Sequence, residues 1–127
     1  MADAIAPDGS EIYFLATDAS RASLVEVVLR PGRVTRPVRH RTVDEIWYFL
    51  SGTGEVWLHA PGGLPSTTRA VQSGDVIVIP TGWAFQFRAI GDEALRFLCF
   101  TTPPWPGPEE AAAVEGGGLG EPNLTAT

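Results

Sequence analysis

The sequence predicts an all-β protein built as a small barrel or jelly roll, and three observations carry that prediction. Short β-type runs follow one another over most of the chain, with few stretches of helical periodicity between them. They are separated by turn formers, of which the 127 residues include 14 Gly and 11 Pro. The run Val76-Ile77-Val78-Ile79 is apolar at every position, which predicts a strand covered on both faces, as where two sheets pack together. The length allows one domain with a single hydrophobic core.

In order, strands are expected at about residues 11–16, 23–30, 35–41, 45–50, 54–59, 67–72, 76–79, 84–90 and 94–101. Pro31-Gly32 and Ser73-Gly74-Asp75 read as turns, and Ala60-Pro61-Gly62-Gly63-Leu64-Pro65-Ser66 as a longer exposed loop. Ser51-Gly52-Thr53-Gly54 joins two apolar runs and reads as a tight hairpin. The barrel is expected over residues 1–102, followed by a Pro/Gly/Glu-rich tail over 103–127. Within the tail, Trp105 lies among four prolines and is expected to cap the barrel, since an exposed Trp is costly to leave unpacked. The alanine-rich piece that follows is expected to form one or two helical turns, with disorder after Gly116-Gly117-Gly118.

Composition removes several chemistries. All nine basic residues are Arg, so lysine Schiff bases and a P-loop lysine are excluded. The net charge is −6, but Glu109, Glu110, Glu115 and Glu121 belong to the tail. Arg30, Arg33, Arg36, Arg39 and Arg41 cluster without an intervening acid; with a negative net charge they read as a solvated strand edge, and no nucleic-acid partner is expected. The single cysteine, Cys99, permits neither an internal disulfide nor a multi-cysteine zinc site, and its apolar run predicts a buried structural thiol. The N-terminus lacks the basic start and apolar stretch of a secretory signal, and no later segment is long and apolar enough to span a bilayer, so a cytoplasmic protein without membrane contact is expected.

Gly32 is followed by five residues, then Val38-Arg39-His40, four residues, Glu45, six residues and Gly52. Gly74 is followed by Asp75 and, after five residues in all, by Pro80-Thr81-Gly82. This pair of patterns resembles the two motifs of the cupin superfamily. With the flanking strands, the resemblance extends over about residues 10–102. It implies a jelly-roll β-barrel. It also implies a divalent metal, iron, manganese, nickel or zinc, held by three histidines and one glutamate projecting into the barrel. Of that set this sequence retains His40 and Glu45 alone. Val38 stands where the first histidine would be, and the segment after Gly82 has none. The last histidine corresponds to Phe85 under strict spacing or to Ala84 if the loop is one residue shorter. We prefer the shorter loop, which puts Ala84, Gln86 and Arg88 on the cavity face and Phe85 and Phe87 on the other.

Alternation along the strand that carries Glu45 then brings Trp47 and Phe49 inward with it. Trp47, Phe49, Trp83, Gln86 and Arg88 are expected to line a pocket for a small organic molecule around His40 and Glu45. His59 is expected to point outward with Glu55 and Trp57. Two ligands make an incomplete metal site. His40 and Glu45 are therefore read either as a surviving half-site or as a pair that satisfies itself by a direct hydrogen bond. The expected function is small-molecule binding. The alternative is catalysis through His40 and Glu45, metal-dependent as in oxygenases and isomerases or metal-independent as in epimerases and cyclases. Pairing through barrel edges into a homodimer is also expected, because an unpaired edge strand is a hazard that dimerisation removes.

Overall fold

The computed structural model describes residues 1–124. Eleven strands form two antiparallel sheets: β1 (Ala4–Ile5), β2 (Glu11–Ala16), β3 (Ser23–Leu29), β4 (Val38–His40), β5 (Asp44–Ser51), β6 (Thr53–His59), β7 (Thr67–Gln72), β8 (Val76–Ile79), β9 (Ala84–Ile90), β10 (Leu95–Thr102) and β11 (Ala111–Ala113). One sheet runs β1-β2-β3-β10-β5-β8 and the other β11-β4-β9-β6-β7. The fold is a jelly-roll barrel, as the sequence predicts.

The period of two along each strand decides what faces inward. On β5, Glu45, Trp47 and Phe49 are buried while Asp44, Ile46 and Tyr48 face out. The register with β10 sets Glu45 opposite Thr101, Trp47 opposite Cys99 and Phe49 opposite Phe97. From the second sheet, β9 brings Phe85 and Phe87. Trp47 stacks on Phe97 with ring centroids 4.3 Å apart, and meets Phe87 at 5.1 Å and Phe85 at 5.4 Å edge to face. This cluster of rings joins the two sheets, and edge-to-face and offset pairs of this kind add to the burial of their area.

Several sequence expectations are corrected. Residues 51–54 do not form a hairpin: β5 and β6 belong to different sheets, and the chain turns a corner between them. Gly52 makes the corner possible, with φ of +81° and a position where a Cβ would lie 2.3 Å from the Ala94 carbonyl oxygen. β8 is an edge strand covered on one face only; Ile77 and Ile79 are buried, whereas Val76 and Val78 are 46% and 55% exposed. Their outward face continues through Ile46, Tyr48 and Phe100, all exposed. Among the described residues no helix is long and apolar enough to cross a membrane.

The tail differs most from expectation. In place of α-helical turns there is one 3-10 turn over Pro108–Glu110, after which the alanines extend as β11 along the edge of β4. Glu110 fixes this change of direction. It is buried, and accepts hydrogen bonds from the Thr42 hydroxyl and from the backbone N–H groups of Thr42 and Val43. Beyond Gly118, where disorder was expected, the chain runs over the outer face of the second sheet as far as Leu124. Leu119 N donates to the Gln86 side-chain oxygen, and Asn123 is bonded to Val34 and Gly32. Trp57, expected outside, is consequently buried beneath Gly118. His59 does face outward, with its ring bonded to the Leu64 carbonyl. Residues 125–127 of the tail lie outside the described residues.

Glu110 yields a stability prediction. Burial opposes its ionisation, but the bonds from Thr42 and Val43 outweigh that and hold its carboxyl below the ordinary value of 4.5. A carboxyl depressed on folding stabilises above its ordinary pKa, and that contribution is lost as pH falls through its folded value. Glu110→Gln is expected to cost about 2 kcal/mol at neutral pH. Denaturation followed from pH 7 downward should show the gap between variant and wild type closing below pH 4.5; a gap that does not depend on pH contradicts the assignment.

Candidate functional site

Between the sheets the core opens into a cavity of about 440 Å³, walled by Val25, Val27, Trp47, Phe85, Phe87 and Phe97. Its polar groups are few. His40 enters from β4, Glu45 from β5, Cys99 and Thr101 from β10, Ser23 from β3, and Asp8 and Ser10 from the turn before β2. The Pro-rich stretch after β10 covers one side: Pro104, Trp105 and Pro108 line the cavity, and the Trp105 ring lies 5.2 Å from that of His40. Trp105 is therefore the expected cap, seated on the site itself.

Glu45 is held from two sides. The Trp47 indole N–H donates to its Oε1 at 2.9 Å and the Thr101 hydroxyl to its Oε2 at 3.0 Å. His40 Nδ1 lies 3.9 Å from Glu45 Oε2, too far for a hydrogen bond, and is fully buried with no partner. The direct pairing that would have made these two residues a self-contained structural unit is thus not made. Phe85 packs edge to face against the His40 ring at 5.0 Å.

Cys99 lies beside Glu45 with its Sγ 3.6 Å from the Thr101 hydroxyl oxygen. Burial, reinforced by the Glu45 charge, pushes its thiol well above the ordinary cysteine range. It is a buried free cysteine, as its sequence context predicts.

The register of β9 is the reverse of the one we preferred. Phe85 and Phe87 face the cavity, while Gln86 and Arg88 face away. The strict motif spacing holds, so an aromatic ring occupies the position of the last cupin histidine. Gln86 is nonetheless fully buried, with its amide N–H donating to the Thr35 and Gly120 carbonyls, so its polarity serves the tail. Arg88 pairs with Glu55 on the outer face of the sheet. Phe49 lies deeper in the core, and Trp83 packs against the core without lining the cavity. Of the expected pocket residues, Trp47 joins His40 and Glu45.

Asp8 was missed by sequence reasoning. Pro7-Asp8-Gly9-Ser10 reads as an ordinary turn, with nothing local to say that the turn folds over the barrel mouth. Thr101 and Cys99 were recoverable, because they alternate with Phe97 on one face of β10.

Comparison with known proteins agrees with this geometry. A family model described as a cupin domain matches residues 25–101. The chain is a cupin. It is 32% identical over 85 residues to the uncharacterized protein MJ1618 of Methanocaldococcus jannaschii, an alignment covering 67% of this chain and 63% of that one. Among solved structures it is similar to oxalate decarboxylase from Lactobacillus farciminis in a formate complex, with a TM-score of 0.72 and 26% identity over 83% of this cupin and 31% of that chain. The fold is also shared with Bacillus subtilis oxalate decarboxylase, which has Mn(II) centres: TM-score 0.71, 23% identity, 84% of this chain and 28% of that one. This cupin thus spans less than two thirds of the length of these relatives.

The donor set here does not fit such a metal. His40 and Glu45 supply two donors, Val38 and Phe85 fill the remaining motif positions, and among the described residues no three of His, Cys, Asp or Glu come together to hold an ion. Val38 and Phe85 face each other across β4 and β9. Val38→His with Phe85→His should therefore rebuild a metal set and produce tight nickel or manganese binding by calorimetry at neutral pH. Tight binding by the wild type, or none by a folded double variant, contradicts this placement.

Proposed function

We propose that this cupin binds a small organic molecule inside the barrel, with its apolar body against Trp47, Phe85 and Phe97 and one polar group directed at His40 and Glu45. The observation that carries this reading is the bare Nδ1 of His40. The His40 ring lines an apolar cavity of about 440 Å³ with this atom buried behind it, and the Glu45 beside it is already fixed in place by Trp47 and Thr101. A buried polar atom without a partner costs on the order of 1–3 kcal/mol, which a turn of the His40 ring toward a bound ligand's donor would recover. The volume suits a molecule of roughly drug-fragment size. The same two residues favour metal-independent proton transfer as a second reading, with His40 as the proton carrier and Glu45 orienting the bound molecule. On that reading His40→Gln removes turnover and retains binding.

Binding of benzyl alcohol, followed by amide chemical shifts of the full chain, tests the principal reading. Shifts are expected at Trp47, Phe85 and Cys99, and Val25→Trp should abolish them by filling the cavity. Shifts confined to surface residues, or unaffected by Val25→Trp, count against it.

We also infer that two copies pair through the outer face of β5, β8 and β10. Ile46, Tyr48, Val76, Val78 and Phe100 are exposed there and continuous across the strand register. An apolar patch of these five side chains is complementary to itself, and β8 lies at the edge of its sheet. Light scattering should give a dimer for the wild type and a monomer for Val78→Arg; a monomeric wild type contradicts the pairing.

A further inference from the structure

We propose that the barrel selects an organic cation, a small alkyl- or arylammonium, and that Asp8 is a second recognition residue facing the His40–Glu45 centre. The proposal rests on the reading of the cavity as a ligand site and adds the chemistry of the ligand.

The cavity is rich in hydrogen-bond acceptors and poor in free donors. The Trp47 N–H and the Thr101 hydroxyl are both committed to Glu45, and the Ser10 hydroxyl to Asp8. None of the nine Arg lines the cavity, and the chain has no Lys. The acceptors on lining residues are Glu45 Oε2, with the unpartnered Nδ1 of His40 3.9 Å from it, and the second oxygen of Asp8; against these two carboxylates stand the neutral hydroxyls of Ser23 and Thr17. An ammonium group with several N–H bonds matches this set. A carboxylate ligand would add a third acid to Asp8 and Glu45 with no cation to offset it.

Asp8 is placed with care for a residue outside the cupin motifs. Its Oδ1 accepts the Ser10 N–H at 2.9 Å and the Ser10 hydroxyl at 2.6 Å, while Oδ2 takes no hydrogen bond among the described residues. The side chain is 8% exposed and lines the cavity. The turn that presents it closes through Ala6 N to the Ser10 carbonyl and Gly9 N to the Ala6 carbonyl. Gly9 has φ of +100°, and a Cβ there would collide with Leu124, so the end of the tail locks the turn in place. Burial raises the Asp8 carboxyl above its ordinary value against the two Ser10 bonds; the Glu45 charge raises it further and His40 opposes that, so the three groups share one electrostatic environment. The walls suit the same ligand. Trp47, Phe85 and Trp105 surround the polar groups, and ring faces attract a desolvated cation.

The test compares benzylammonium, benzyl alcohol and benzoate, which share one ring and differ in charge, by calorimetric titration of the full chain at neutral pH and low salt. Benzylammonium is expected to bind at least about tenfold more tightly than benzyl alcohol, and benzoate more weakly than either. Asp8→Asn keeps the Ser10 bonds and should weaken benzylammonium roughly tenfold while leaving benzyl alcohol unchanged. Benzoate binding as tightly as benzylammonium, or an Asp8→Asn variant with undiminished ammonium affinity, overturns the proposal while benzyl alcohol binding keeps the cavity reading intact. If none of the three binds, both fall.

Discussion

Trp47 does two things that cannot be separated. Its ring stacks on Phe97 and meets Phe85 and Phe87 across the barrel, so it is the packed junction of the two sheets. Its N–H holds the carboxylate of Glu45, two residues away on the same strand face. Because a strand returns to the same face every second residue, core and site are built from one alternating row, Glu45, Trp47, Phe49. Loss of the indole would open a large void and also release a buried carboxylate, two mechanisms that each destabilise by several kcal/mol.

Around that junction, the barrel is finished by segments from both ends of the chain. The turn at Asp8 and the stretch around Trp105 close over the cavity, β11 covers the edge of β4, and residues 117–124 seal the outer face of the second sheet through Gln86. Leu124 packs against the turn at Gly9, so the described part of the tail meets the segment before β2. The cupin motifs supply the barrel and two of its polar groups. The segments outside residues 25–101 supply Asp8 and Trp105, and with them much of what distinguishes this cavity.

How much of this was legible in the sequence follows from the range of the forces involved. Alternation and turn residues are local, and they placed eight strands to within a residue at each end, overran β4, and set Glu45 and Trp47 on one face. The motif spacing carried the superfamily, and it showed Val38 and a histidine-free second motif at positions where cupins place metal ligands. The phase of β9 was not legible. Gln86 looked like a cavity group because a polar residue among Phe85 and Phe87 invites that reading, but its partners are carbonyls and an N–H of Thr35, Gly120 and Leu119, distant in sequence. The outward apolar face of β8 and the extended path of the alanines were missed for the same reason. Which face of a strand is covered, and whether three alanines coil or pair, are decided by neighbours that no local pattern names.

The protonation of His40 Nδ1 bears most directly on whether this cavity is a ligand site or an inert remnant of a metal centre. A long-range proton–nitrogen correlation spectrum of the two histidines at neutral pH reads it. A binding site predicts an Nδ1 without a proton, with a nitrogen shift that moves when benzyl alcohol is added, because the ligand packs against the ring that carries it. A protonated Nδ1 engaged with Glu45 and indifferent to added ligand would mean that the pair satisfies itself, and would contradict the site.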